Sequence, residues 1–463
     1  MQTPAGMIRT VNPATGAPLA EVPESTPAQV KEVVARARAA RGSWAADFEA
    51  RARALRAATQ RVTEAAALEA LARSITAEMG KPITEARAEI RGAMSRIDGY
   101  IDRARAALAD ERGSEHGLDV VVSWRPLGVV AVIAPWNYPV ATPFNLLAAA
   151  LLTGNTAIFK PSEYTPQTGA TLHALLAEGL GEGVLGLVQG GGAVGAALVA
   201  SDVDMIAFTG SIATGQAIMR EAAGSMKRLV LELGGKDPMI VLPGADLAAA
   251  ARHAARESVR NAGQVCVSVE RVIVHRDIAD EFTRRVAEEV ARVRVGAPEL
   301  EGTEMGPMVS EGQRARVLAQ LVDAREKGAK FVVEGACRGP GFFLEPTVLD
   351  DVTTDMIIAR EETFGPVVAI ERADDTERAI ALANDSHYGL GASVWGPEGA
   401  ETEAVADRVE AGMVGVNRGL SAAAGAPWVG WKMSGYGYTR SVAGMRQFLQ
   451  PRSRTSKTHD AAR

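Results

Sequence analysis

The chain has 463 residues, 47% of them hydrophobic and 23% charged, with a net charge of −6. At roughly 100–200 residues per domain this length suggests two or three domains, and the acidic balance, with its basic residues scattered along helices, argues against nucleic acid as a partner. Two cysteines, Cys266 and Cys337, are too few for a disulfide framework and fit a reducing cytoplasm; the N-terminus has no signal-peptide core, and the longest apolar stretch, 140–152, is too short for a membrane span and reads as a buried helix.

Residues 12–16, NPATG, read as a turn. Residues 26–80 read as helices, with Thr26 as the cap, Pro27 in the first helical position and Val30, Val33, Val34 and Ala37 on one face. Helical patterning continues to about residue 110, and 118–125 (LDVVVSWR) reads as a strand. Short apolar runs then recur at 129–135, 156–161, 184–190, 205–210 and 228–235, separated by helix-length segments. This alternation implies βαβ units and a parallel sheet, with ligands bound beyond the carboxyl ends of its strands. A second α/β stretch runs from about 236 to 430, with strands such as PMIVLPG and PVVAIER and helices at Ala279–Val293 and Glu311–Lys327. The last dozen residues are polar and read as frayed.

Four segments carry chemistry. Cys266 follows a Gly-containing turn in Asn261–Cys266 (NAGQVC); it is either a nucleophile, which needs partial exposure and a lowered pKa, or a small buried hydrophobe. Glu232 ends the apolar strand RLVLELGG, where burial would raise its pKa toward general-base range, although a cap or ion pair would also explain it. Asn137, in Ala134–Pro139 (APWNYP), is placed to donate to an oxyanion, worth ~10²–10³ in rate, or to make an Asx turn. The strand–turn–helix 205–215 (MIAFTGSIATG) suits a pyrophosphate on a helix N-terminus, yet lacks the GxGxxG spacing and is equally an ordinary βα turn.

Taken together these segments resemble the aldehyde dehydrogenase superfamily. The likeness runs from Asn12-Pro13 to Ser434-Gly435 through NPATG, PWNYP, KPSE, FTGS, ELGGK, GQVC, EETFGP, NDSHYGL and PWVGWKMSG in that order. The resemblance implies an α/β fold of two open doubly wound domains, a Rossmann-like NAD domain and a catalytic domain, with a small β oligomerisation flap. The implied boundaries are 1–110 and 127–234 for NAD binding, 235–434 for catalysis, 111–126 and 435–456 for oligomerisation, and 457–463 as a frayed tail. It implies NAD-dependent oxidation of an aldehyde to the acid through a Cys266 thiohemiacetal and thioester. Glu232 would be the base, and Asn137 with the Cys266 N–H the oxyanion hole.

For the cofactor it implies Ile133, Ala134, Pro135 and Trp136; Lys160, Ser162 and Glu163, whose carboxylate would take the ribose hydroxyls and favour NAD over NADP; Phe208, Thr209, Gly210 and Ser211 at the pyrophosphate; Leu233 and Gly234; and Glu362 and Phe364 at the nicotinamide ribose and ring. Gln313 is a further candidate there, and Gly195 is either a cofactor contact or plain helix packing. No metal is implied. A homodimer or homotetramer is expected, with no nucleic acid or membrane partner.

The substrate pocket is expected at Tyr138, Thr142, Asn145, Arg260, Val265 and Val267. An arginine six residues before the cysteine resembles the one with which succinate-semialdehyde dehydrogenases grip a carboxylate, but their second arginine stands where this chain has Asn145. Asn145 and Thr142 suggest a roomier, more polar tunnel. Pro427–Gly430 (PWVG) replaces the usual Pro-Phe-Gly-Gly, and Thr439 replaces a glutamate proposed in some members to relay protons. Three rivals stand beside this reading. A coenzyme A-acylating semialdehyde dehydrogenase generally lacks the carboxylate at 232. A non-catalytic structural protein would not need the Cys, Glu and Asn trio. A Cys/His hydrolase would need a histidine near a motif.

Overall fold

The computed structural model describes residues 6–420 and 425–457. Its first sheet runs in the order Gly435–Tyr436, Arg228–Glu232, Met205–Thr209, Val129–Ile133, Thr156–Lys160, Leu185–Leu187. Every pairing is parallel except that of the 435–436 edge. Successive residues of a strand point to opposite faces, and here both faces are dry. Val130, Val132, Phe159 and Val230 pack into one helix-covered core, and Ala131, Ile133, Ile158 and Leu231 into another. That is why these strands read as continuous apolar runs. The chain moves outward from Val129–Ile133 to Leu185–Leu187, then returns to Met205–Thr209 on the other side. The loops that leave the two central strands therefore diverge, and a crevice opens beyond their carboxyl ends.

The second sheet has seven strands in the order Lys330–Val333, Thr347–Asp350, Val367–Ala373, Arg271–His275, Pro238–Val241, Gly391–Trp395, Met413–Val416. Only the first of these is antiparallel. Five residues, 233–237, carry the chain from the end of Arg228–Glu232 into Pro238–Val241. Cys266 and Phe364 lie in the loops that enter strands Arg271–His275 and Val367–Ala373. The carboxyl edge of the first sheet thus meets the amino edge of the second, a juxtaposition that the strand pattern does not encode. Strands 347–350, 391–395 and 413–416 went unmarked in the sequence, because their apolar runs are short and interrupted by polar or glycine positions.

The N-terminal expectation holds in detail. Thr26 and Gln29 form a reciprocal capping box on helix Pro27–Ala45. Helix Ala141–Leu152 is almost wholly buried. The helix expected at Ala279–Val293 begins earlier, as Arg276–Val290, because His275 supplies the cap by accepting from the Asp277 N–H at 3.3 Å. The C-terminal expectation needs correction. Residues 452–457 are not frayed: Leu449–Lys457 pairs along its full length with Leu118–Pro126, which also pairs with Glu111–Glu115. Nine continuous antiparallel pairs hold this polar segment without a core of its own. Residues 458–463 of the expected tail lie outside the described residues. No described helix is long and apolar enough to cross a membrane.

One buried ion pair sets the loop after the central strand. Lys81 and Glu89 have side chains only 1% exposed and bond to each other. The Lys81 ammonium also donates to the Asn137 carbonyl at 2.7 Å and sits 3.9 Å from the Tyr138 ring centroid. Glu89 accepts the N–H groups of Val140 and Ala141, both at 2.9 Å, and so caps the buried helix. Removing one member of such a pair strands a charge in low dielectric. Lys81→Met is expected to lose about 3–5 kcal/mol in guanidinium unfolding, and Lys81→Met/Glu89→Gln to recover part of it.

Candidate active site

The turn that carries Cys266 is built from unusual backbone. Asn261 and Ala262 both have left-handed φ (53° and 56°), as does Gly263 (72°). A Cβ on Gly263 would lie 2.0 Å from the Gly365 carbonyl oxygen, so both conformation and space demand glycine there. Gln264 locks the turn: its Nε2 donates to the Asn261 carbonyl at 2.9 Å and its Oε1 accepts the Val309 N–H at 2.9 Å. Cys266 emerges from this turn at the edge of a cavity, with its backbone N–H bonded to no described backbone carbonyl.

Asn137 is brought to the same turn. Its Nδ2 donates to the Gln264 carbonyl at 3.0 Å, and its own carbonyl accepts from Asn261 Nδ2 at 3.2 Å. A side-chain amide has two N–H donors, and the second Asn137 donor has no described partner. With the Cys266 N–H it leaves two N–H donors at this turn without a described partner.

Glu232 ends its strand half-buried and lines the same cavity as Cys266. Its Oε1 accepts the Trp428 indole N–H at 3.0 Å, and the Arg440 guanidinium lies 4.1 Å over that indole. The thiol does not show the lowered pKa expected of it. Loss of solvent pushes Cys266 well above the ordinary thiol range, and the charge and hydrogen bonding of the facing Glu232 carboxylate raise it further. This arrangement favours the thiol form of Cys266, facing the Glu232 carboxylate.

The crevice of the first sheet gathers most residues of the cofactor expectation. Ile133 ends the central strand, and the N–H of Ala134, the next residue, donates to the Lys160 carbonyl at 3.0 Å. Pro135 is half-buried, and Trp136 stands edge-on to Phe364 and Tyr164. Lys160 is 4% exposed; its ammonium meets the Pro161 carbonyl at 3.2 Å and Glu163 at 3.8 Å. A Cβ on Gly195 would meet the Lys160 stem at 3.5 Å, which places that helix against the lysine. Ser162 Oγ is occupied by the Tyr164 N–H at 3.3 Å. Phe208 and Thr209 end their strand, Gly210 makes room for the Phe208 ring, and Ser211 caps helix Ile212–Ala223.

A second buried pair, Lys236–Glu270 at 2.7 Å, ties the crevice to the second sheet. Glu270 also accepts the Thr363 and Phe364 N–H groups, both at 3.0 Å. The Gly235 N–H donates to Glu362 at 3.0 Å, beside Leu233 and Gly234, and burial pushes Glu362 up to about 8. Gln313 is one step removed: its amide holds the Phe364 carbonyl at 3.2 Å, with Phe364 itself at φ 48°.

The cavity at Cys266 has a volume of about 260 Å³, and Tyr138, Thr142, Asn145, Arg260, Val265 and Val267 all border it. Asn145 is engaged, accepting the Tyr100 hydroxyl at 2.7 Å. Arg260 pairs with Glu257 at 2.8 Å and donates to the Tyr138 hydroxyl at 3.1 Å. The lining residues not anticipated from sequence include Arg96, Arg440 and, as a partner of Glu232, Trp428. Arg96 sits in a helical stretch where arginine is ordinarily a surface residue, and nothing in its spacing marks it. Trp428 lies within the departing segment 427–430 and Arg440 follows the departing Thr439, the one signal that could have found them.

The raised thiol has a testable source. Glu232→Gln removes the adjacent negative charge, so the Cys266 pKa should fall. The pH at half-maximal iodoacetamide labelling, measured by mass spectrometry at Cys266, should move down relative to the parent; an unmoved profile would place the cause elsewhere.

The aldehyde dehydrogenase family model matches residues 1–453. A Mycolicibacterium smegmatis protein, provisionally named a succinate-semialdehyde dehydrogenase of the NADP(+) type, is 39% identical over 448 residues, covering 94% of this chain and 86% of that protein. A betaine aldehyde dehydrogenase of Rhizobium leguminosarum bv. trifolii is 37% identical, covering 97% and 93%. The crystal structure of an aldehyde dehydrogenase from Brucella melitensis biovar abortus superposes with a TM-score of 0.94 at 36% identity, covering 98% of this chain and 94% of that one. With this match over nearly its whole length, the chain belongs to the aldehyde dehydrogenase family.

Proposed function

We propose that Cys266 is the nucleophile with which this chain oxidises an aldehyde to its carboxylic acid, that Glu232 is the base and that Asn137 and the Cys266 N–H receive the oxyanion. The observation that carries the reading is the thiol facing a carboxylate on one cavity, with Asn137 hydrogen-bonded to the same turn. Glu232 takes the thiol proton as sulfur adds to the carbonyl carbon. The negative charge on oxygen rests on the second Asn137 donor and the Cys266 N–H. Nicotinamide dinucleotide, held by the crevice residues, would supply the two-electron acceptor for converting the thiohemiacetal into the thioester. Glu232 then removes a proton from water, which attacks the thioester and frees the acid. The Trp428 N–H keeps the carboxylate beside the thiol while it does so.

The crevice suits that cofactor. Lys160 keeps donor capacity beyond its single carbonyl partner, and Ser211 starts helix Ile212–Ala223 just past the carboxyl end of strand Met205–Thr209, where a helix N-terminus suits a phosphate, while the Gly210 N–H is given to the Glu232 carbonyl at 3.0 Å. The cofactor contacts are the residues described above, with Glu362 and Phe364 at the nicotinamide end and Gln313 supporting that loop. Glu163 accepts ribose hydroxyls and repels a 2′-phosphate, which favours NAD over NADP, although one relative is named for NADP(+). One relative is named for an anionic aldehyde and another for a cationic one, so family membership leaves the substrate's tail open. The division into a NAD-binding part (1–110 and 127–234), a catalytic part (235–434) and oligomerisation segments (111–126 and 435–456) follows from the same reading. So does a homodimer or homotetramer in the cytoplasm: the three-stranded sheet has open edges at Glu111–Glu115 and Leu449–Lys457, and open edges are ready to pair.

Stopped-flow measurement of NADH with a simple aliphatic aldehyde tests the chemistry. Cys266→Ala should give no NADH. Glu232→Gln should give a burst near one NADH per site, then steady turnover slowed about 10²-fold or more, with no acceleration by coenzyme A. Unchanged steady turnover in Glu232→Gln would refute the assignment. For the cofactor, Glu163→Gln should raise kcat/KM with NADP relative to NAD by about tenfold.

A further inference from the structure

We infer that the aldehyde this chain prefers carries a negative charge at its far end, a carboxylate on a short aliphatic chain, and that Arg440 with Arg96 receives it at the wall of the Cys266 cavity. The inference rests on the proposed aldehyde oxidation and specifies its substrate class. The cavity that holds Cys266 and Glu232 also exposes three guanidinium groups, of Arg96, Arg260 and Arg440. Arg260 is already balanced by Glu257 at 2.8 Å. Arg96 and Arg440 take part in no ion pair among the described residues, so Glu232 is the one carboxylate facing two cations across about 260 Å³. The site therefore carries an excess positive charge that a bound anion would neutralise.

Arg440 is not a surface group that happens to lean inward. Its backbone is held at φ 69°, a conformation that costs a side-chain-bearing residue energy and persists where the surroundings enforce it. The enforcing contact is close by: Gly444 packs so tightly on Thr439 that a Cβ would lie 2.5 Å from the Thr439 carbonyl carbon. The guanidinium carbon stands over Trp428, 4.1 Å from the ring centroid, and its N–H donors have no described partner, which leaves them available to a planar carboxylate. It is held largely out of water: desolvation pulls its pKa down, and the like charge of Arg96 adds to that. Two neighbouring guanidinium groups repel each other unless an anion bridges them, and a carboxylate does so with paired hydrogen bonds. The same charges disfavour an aldehyde with an ammonium tail.

The test compares three aldehydes of equal chain length: 4-oxobutanoate, butanal and 4-aminobutanal. The ratio of kcat/KM for 4-oxobutanoate over butanal should exceed ten at low ionic strength, fall as salt is added, and drop at least tenfold in Arg440→Gln, chiefly through KM, with Arg440→Lys intermediate. Arg96→Gln should lower it by a smaller factor. A binding readout covers the case in which no aldehyde is turned over, which would refute the oxidation itself. Succinate should slow iodoacetamide labelling of Cys266 in the parent and not in Arg440→Gln, whereas butyramide should act alike on both. A preference for 4-aminobutanal, a ratio unmoved by Arg440→Gln or Arg440→Lys, or succinate protection that is absent or insensitive to Arg440 would overturn the inference while leaving the oxidation standing.

Discussion

The reciprocal amide contact between Asn137 and the 261–264 turn is the joint on which the site depends. Asn137 belongs to a loop leaving the first sheet, and the turn to a loop entering the second. Two hydrogen bonds, of 3.0 and 3.2 Å, bind one to the other. Everything around them restricts their motion. Lys81 grips the Asn137 carbonyl from one side, Gln264 braces the turn from the other, and Gly263 lets the Gly365 backbone come close beneath it. In the mechanism proposed above Asn137 is an oxyanion donor; such a donor is effective only if it does not have to be reorganised during reaction, and this bracing restricts its motion.

Both signs of charge meet around the Cys266 thiol. Glu232, Glu362 and Asp237 all raise it. Glu232 also lines the cavity bordered by Arg96, Arg260 and Arg440. Trp428 stands between the two signs, donating to Glu232 while its face receives Arg440. The residue seen in sequence only as a replacement for phenylalanine is thus a link between Glu232 and the cavity wall. Phenylalanine would keep the packing and lose the donor.

Two buried lysine–glutamate pairs, Lys81–Glu89 and Lys236–Glu270, show how costly polar groups are employed. Neither adds much net stability by being charged. Each instead fixes loop backbone that has no ladder or helix to satisfy it: Glu89 accepts the N–H groups of Val140 and Ala141, and Glu270 those of Thr363 and Phe364.

Much of this was written in the chain's local pattern. The apolar runs at 129–133, 156–160, 205–209 and 228–232 announced parallel strands because both faces of each are buried. Thr26-Pro27 announced a helix start because its chemistry is local, and the order of nine motifs announced the family. Other features depend on residues far apart in sequence, and no periodicity carries them. The raised Cys266 thiol comes first from burial and then from a carboxylate 34 positions away. The place of Arg96 and Arg440 on one cavity comes from two segments more than three hundred residues apart. The ordered strand at 449–457 comes from pairing with Leu118–Pro126. Sequence determined which elements form and which reactive groups are available, since those follow from short-range sterics and burial. Tertiary structure alone decided which charges face one another, because electrostatics acts through space and folding sets the distances.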